Sequence, residues 1–431
     1  MTGGSRYFKF ILLWGTITWF LTVPTTSDRG VVPLAFVPPC TRTINQIQHS
    51  RTAFRIALVT RAVATTPAEP MAPSILKPVL DVPLHRLKLP FGAMGKENTG
   101  IDVKIHGLGP FRFMVDTGLT TVLVTPDLEK KLLMAMEKDM AVSEPTIEIA
   151  GIAASGKSSK SRVLPLSDIS ICGEKGEELI IPSTVHALVH GFAQQHMDKL
   201  HPIDGMIGME VLELYDVDFD FPNGRLRLWT PGTAARVAKK DGLVQIPAAE
   251  LNESLLRGIR VTDARAVSSK DQTVTKQPFV GVLDCGATFT TINWYAAQLL
   301  GLPPKTDKLA YGLAPVTGVM GVGVDGKPMV MPTKNVQFTF VGDAEKLEED
   351  GSIAQFRVPP VEWTPWKTVS VGIGDLPVFQ ELLGEDEKTP FQGPAAILGM
   401  DILSQRRVIM ETCTGSMHCS NKRRRLFVSP K

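Results

Sequence analysis

The sequence predicts an all-β, two-lobed fold made of two β-barrel halves with short helices. Three observations predict it. First, Pro110-Phe111-Arg-Phe-Met-Val115-Asp116-Thr117-Gly118 matches Pro278-Phe279-Val-Gly-Val-Leu283-Asp284-Cys285-Gly286 position by position, 168 residues apart. Second, Ile207-Gly208-Met209-Glu210-Val211-Leu212 matches Leu398-Gly399-Met400-Asp401-Ile402-Leu403, in the same order after its Asp-x-Gly. Third, the stretches around these motifs are short β-branched or aromatic runs punctuated by Gly and Pro. A period this long means two copies of a domain-sized unit, not a solenoid.

Within each copy the elements follow in a fixed order. Phe111–Val115 is bounded by Gly-Pro and Gly and reads as a strand ending on the first Asp-x-Gly turn. A short strand and helix follow, with Thr125 as N-cap, Pro126 at N1 and acids in the first turn. After the second turn Asn293 caps a helix that Gly301 ends. Val217–Phe221 and Arg225–Trp229, joined by Pro-Asn-Gly, read as a hairpin closing the first half. The expected lobes are 81–240 and 241–431.

Two aspartates from equivalent halves suit one chemistry. Like charges a few ångströms apart cannot both ionise, so such a pair holds one shared proton. The ionised member can take a proton from water while the protonated member donates to a carbonyl. No cofactor and no metal is required. Gly118 and Gly286 allow the sharp turn each loop needs.

The strings VDTG at 115–118 and LDCG at 283–286, each with its downstream apolar-Gly pair, resemble the active-site turns of aspartic peptidases. The chain resembles two fused retropepsin-like domains in a pepsin-like bilobal arrangement, over roughly residues 81–431. The resemblance implies an aspartic-type endopeptidase with Asp116 and Asp284 catalytic, and Thr117, Gly118, Cys285 and Gly286 supporting their loops. It also implies an interlobe cleft and flap hairpins, expected near 149–157 and 318–323. Thr or Ser usually follows each Asp in that family. Cys285 is a weaker donor and acceptor, so it is expected to loosen the pair or make it redox-sensitive. Leu119 and Ala287 stand where pepsins carry a hydroxyl, so the pair is expected to titrate higher and work closer to neutral pH. The alternative is a catalytically inactive relative that binds peptides or a partner in the same cleft; a plastid scaffold is a third reading.

The first 80 residues read as an address. Phe10–Val23 is an apolar run of signal-peptide length, shorter than the roughly 20 residues of a membrane span. From Arg29 to Ala68 there is no acid. A signal peptide (1–35), then a transit peptide and Pro-rich linker (36–80), resembles a bipartite plastid presequence. Delivery to a plastid by the secretory route is expected, with secretion or an endomembrane lumen as the alternative, and no membrane anchor after cleavage.

Composition narrows the partners. Residues 1–66 hold seven of the 46 Lys and Arg but one of the 44 acids, so the remainder is net −4. That excludes a nucleic-acid-binding composition. A peptide or protein substrate and a monomer are expected. Five cysteines without CxxC make no disulfide framework, although Cys413 and Cys419 could close a small loop. Gly321–Gly326 fits GxGxxG, but Lys327-Pro328 follows it where a helix should start. His186, His190, His196 and His201 lack a matching carboxylate and read as surface or cleft-edge residues. Asp204 reads as a turn former, Glu345–Asp350 as an acidic loop insertion, and Lys422–Arg425 as a solvated hairpin tip.

Overall fold

A computed structural model describes residues 17–19, 76–89, 93–135, 146–149, 159–192, 195, 201–249, 251–252, 255–307, 318–322, 328–347, 353–384, 391–412 and 425–431. The leader expectations therefore lie outside the described residues, apart from Ile17–Trp19, a strand paired with Gly318–Val322, and 76–80, where Leu80 already begins a strand of the body. His196, Cys413, Cys419 and most of the Lys422–Arg425 run also lie outside them.

Each half repeats one strand order. In the first half the path runs Ile169–Cys172, Asn98–Ile105, Leu108–Val115, Gly205–Ile207, Val122–Val124, Val185–Val189, Ser159–Leu166, Thr146–Ile149. In the second it runs Phe338–Val341, Gly258–Asp263, Phe279–Leu283, Ala395–Leu398, Thr291–Ile292, Val369–Ile373, Pro328–Val336, Gly318–Val322. In both, the strand of the apolar-Gly motif lies between the strands flanking the Asp-x-Gly turn. It is parallel to the strand before the turn and antiparallel to the strand after it.

A third set of strands joins the halves. Its order is Val244–Ala249, Arg425–Val428, Arg407–Met410, Asp216–Asp220, Arg225–Trp229, Leu80–Pro83, three strands from each half. The expected hairpin is present, with Gly224 at φ +62 where its turn needs a left-handed residue. It does more than close the first half, because Asp216–Asp220 pairs antiparallel with Arg407–Met410 across the middle of this sheet.

The helix caps match their residues. Thr125 Oγ1 accepts from Leu128 N at 3.1 Å, opening the helix Pro126–Ala135. Asn293 Oδ1 accepts from Ala296 N at 2.9 Å, opening Trp294–Leu299. Apolar side chains of both halves form one continuous core, and a smaller cluster around Met114, Leu119, Leu123 and Met206 lies in the first half.

Of the expected flap positions, Ile149 and Gly318–Val322 lie on described strands. Thr146–Ile149 pairs with Ser159–Arg162, and Gly318–Val322 with Pro328–Pro332. Residues 150–157, nearly all of the first expected flap, lie outside the described residues. Gly321 and Val322 lie on the strand Gly318–Val322, and the rest of the Gly321–Gly326 run lies outside the described residues. In the acidic segment Ala344–Leu347 is a strand paired with Ile353–Phe356, and 348–352 lie outside the described residues.

Candidate active site

The strand–turn–strand repeat brings the two Asp-x-Gly turns together. Each aspartate is held by its main chain to the apolar-Gly strand, Asp116 N to Ile207 O at 2.9 Å and Asp284 N to Leu398 O at 3.1 Å. Both side chains are fully buried. Gly118 N donates to Asp116 Oδ1 at 2.8 Å. Gly286 N and Ala287 N both donate to Asp284 Oδ1, at 2.9 and 3.1 Å.

The two carboxyls lie within hydrogen-bond reach of each other. A Cβ built on Gly286 would stand 2.4 Å from the Asp116 carboxyl, so only glycine allows that contact. Each Oδ2 is buried and takes no donor from the described protein groups. Two carboxyls this close hold a proton between them, because both cannot ionise at such separation. Burial and the charge of Asp284 hold Asp116 well above the usual carboxylate range. Burial raises Asp284 as well, while bonds from Asp116, Gly286 and Ala287 favour its anion.

Thr117 and Cys285 brace the turns reciprocally. Thr117 Oγ1 donates to Leu283 O at 3.0 Å and accepts from Cys285 N at 3.0 Å. Cys285 Sγ donates to Val115 O at 3.2 Å and accepts from Thr117 N at 3.3 Å. The loosening expected at Cys285 is not seen, because the thiol makes the same pair of bonds as the hydroxyl. The redox expectation fares no better. The thiol is fully buried, and burial and the charge of Asp116 push its pKa up, away from the reactive thiolate. Leu119 lies in the small apolar cluster, and Ala287 contributes its N–H rather than a hydroxyl.

The apolar-Gly motifs act from beneath. A Cβ on Gly208 would meet the carbonyl oxygens of Thr121 and Leu119 at 2.2 and 2.4 Å. One on Gly399 would meet those of Phe289 and Ala287 at 2.5 and 2.9 Å. Met209 N and Met400 N then bond to Leu119 O and Ala287 O, at 2.7 and 2.8 Å.

Sequence reading missed three contacts. Asn98, at the start of a first-half strand, donates its amide to Cys285 O and Gly286 O, both at 2.9 Å. Lys96 N reaches Thr288 O at 2.8 Å. Thr290 Oγ1 donates to the buried Asp401 at 2.6 Å. The other residues weighed lie elsewhere: His186 is exposed on its strand, and His190 Nδ1 is 3.4 Å from Ser161 Oγ. Asp204 ties strands together, accepting from Arg112 N at 3.1 Å, and its oxygen lies 3.4 Å from Lys131 Nζ. His201 lines a pocket of about 310 Å³ beside Asn98.

Residues 101–211 match the family model described as aspartyl protease. No curated protein matches the chain. Solved structures similar to it include a retropepsin-like aspartic protease from Rickettsia conorii, 17% identical over 34% of this chain and 89% of that one, TM-score 0.21. An aspartic proteinase from Irpex lacteus is 13% identical over 82% and 97%, TM-score 0.37. Conglutin gamma, a basic 7S globulin from lupine seeds, is 11% identical over 82% and 96%, TM-score 0.40. The family-model match over residues 101–211 supports an aspartic peptidase family for this chain.

Proposed function

We propose that the chain is an aspartic-type endopeptidase in which Asp116 and Asp284 activate a water against a peptide carbonyl. The observation that carries this reading is the pair itself: two fully buried carboxyls in mutual reach, each held by N–H groups of its own turn and cross-braced by Thr117 and Cys285. The ionised carboxylate takes a proton from water as the oxygen attacks the carbonyl carbon. The protonated carboxyl gives its proton to the carbonyl oxygen, and neither residue forms a bond to carbon. Because burial raises both groups, the state with one proton persists to higher pH than in a solvated pair. Its rate profile should peak above the ordinary carboxylate range of about pH 4.

The test is cleavage of a diverse peptide library by the full chain across pH, beside Asp116→Asn and Asp284→Asn. Cleavage by the parent and loss in both variants is expected. Activity that survives in both would remove the pair from the chemistry. Peptide binding without cleavage at any pH would favour the inactive binder. Plastid delivery by the secretory route remains a separate proposal on the leader's composition, tested by imaging a fluorescent fusion of residues 1–80.

A further inference from the structure

The two halves supply their aspartates unequally. Gly100 pairs with Met114, two residues before Asp116, and Gly258 pairs with Val282, two residues before Asp284. Gly100 and Gly258 are therefore equivalent, and so are Asn98 and Leu256. Both are buried, but Leu256 has nothing to donate. Among the described residues, only the Asp284 turn receives a side-chain amide from the opposite half.

The bonds of that amide fall on particular peptide groups. The carbonyl of Cys285 shares its peptide group with the N–H of Gly286. The carbonyl of Gly286 shares its own with the N–H of Ala287. Asn98 Nδ2 donates to both carbonyls at 2.9 Å, and both N–H groups donate to Asp284 Oδ1. A peptide group whose oxygen accepts a hydrogen bond is polarised and donates more strongly from its nitrogen. The amide of Asn98 thus reaches the Asp284 carboxylate through two peptide groups. Asp116 has one N–H from its own turn, Gly118, and shares that of Gly286.

Resting on the endopeptidase reading for its catalytic consequence, we infer that Asn98 is a positioning residue that divides the roles of the pair: it makes Asp284 the member that carries the negative charge and Asp116 the member that keeps the proton. The titratable groups facing Asp284 agree with that division. They are Asp116, whose bond favours the Asp284 anion, and Cys285, whose thiol burial keeps protonated. Asp116 in turn is pushed up by burial and then by the charge of Asp284. On the far side of Asn98 its pocket carries His85, Arg86, Lys88, Arg112 and His201. Asp284 is then the base toward water and Asp116 the acid toward the carbonyl oxygen.

The experiment is a carbon-13 titration of the full chain labelled at its Asp carboxyl carbons. The two resonances are assigned by their loss in Asp116→Asn and Asp284→Asn. In the parent, Asp284 should report the first deprotonation step and Asp116 the second. In Asn98→Ala the first step should move up by about half a pH unit or more, and the two resonances should titrate more nearly together. In Asn98→Gln, which keeps the amide, part of that shift should be recovered. If cleavage is observed, the acid limb of the Asn98→Ala rate profile should move up in step and kcat should fall more than KM changes. A brace with no electrostatic role would lower melting temperature and leave the titration unmoved, and that result overturns the inference. So does a parent in which Asp116 loses its proton first, which needs no variant at position 98 to fold. The titration needs no turnover, so a parent that cleaves nothing defeats the endopeptidase reading and leaves the assignment decidable.

Discussion

Cys285 is the residue at which sequence and structure part most usefully. Read as a letter, it is a poor substitute for Thr. In place, its sulfur completes a ring of four bonds with Thr117 that ties each turn to the other. Cys285→Thr should therefore preserve whatever cleavage the parent shows, within a few-fold. Cys285→Val should leave Thr117 N and Val115 O without partners in a buried site. Such orphans cost about 1–3 kcal/mol each. A chemical-denaturation midpoint measured for both variants checks this, and equal stability of Cys285→Val and parent would count against the brace. Gly286 is the second such residue. A methyl group there would overlap the Asp116 carboxyl at 2.4 Å, so Gly286→Ala should abolish the contact between the carboxyls and with it any cleavage, read in the same peptide assay.

At the scale of elements, the strands and caps around the turns were legible because local chemistry decides them. Thr125 and Asn293 satisfy orphan helix N–H groups wherever they stand, so their reading transfers directly to the structure. The Ile-Gly and Leu-Gly motifs were legible as a repeat, but their purpose was not. Only the register shows the glycines pressed against the carbonyls of the opposite side of the loop. Gly208→Ala and Gly399→Ala should each force that loop outward. Overpacking typically costs about 1–3 kcal/mol, and thermal melting with a loss of cleavage would show it. Asn98 was not legible for a related reason. It stands 18 residues before Asp116, whereas its equivalent Leu256 stands 28 before Asp284. The difference is the extra hairpin Val267–Ser268 with Thr273–Val274, which breaks the spacing that made the rest of the repeat visible.

The whole molecule is held by the sheet that both halves build, and its charges were invisible in a composition near neutrality. Arg407 grips the fully buried Asp218 through Nε and Nη2, both at 2.7 Å, and reaches Asp241 at 2.7 Å. Trp229 Nε1 adds a bond to Asp218 at 3.1 Å. The two residues come from opposite halves, 189 positions apart, so no local pattern announces the pair. Arg407→Met should cost up to about 3 kcal/mol, because it leaves the buried Asp218 carboxylate with Trp229 Nε1 and with Arg227 at 3.6 Å but without its two-pronged partner. Asp218→Asn added to it should recover part of that loss in the same melting assay.

Acid–base behaviour belongs to this scale too, since several buried carboxyls act together. Burial raises Asp284 to about 7 and Asp401 to about 6, and raises Asp116 and Asp216 in the same direction. In the unfolded chain all four return to about 3.9. Between that value and the folded ones the native state holds protons that the unfolded state has lost. Stability then falls as pH rises, by about 1.4 kcal/mol per pH unit for each such proton. The contribution is complete below about pH 4, and the share of Asp284 is lost once it has ionised, at about 7. Asp263 opposes it, because Arg265 outweighs burial and holds that carboxyl low, so its stabilisation fades on acidification below the usual range. The melting temperature should therefore be highest on the acid side of neutrality and decline from about pH 5 to 7. In Asp401→Asn, which keeps an oxygen to accept from Thr290, the decline should be shallower. A melting temperature that climbs across that interval would show that the buried carboxyls are not protonated in the folded chain, and would take the shared-proton pair with it.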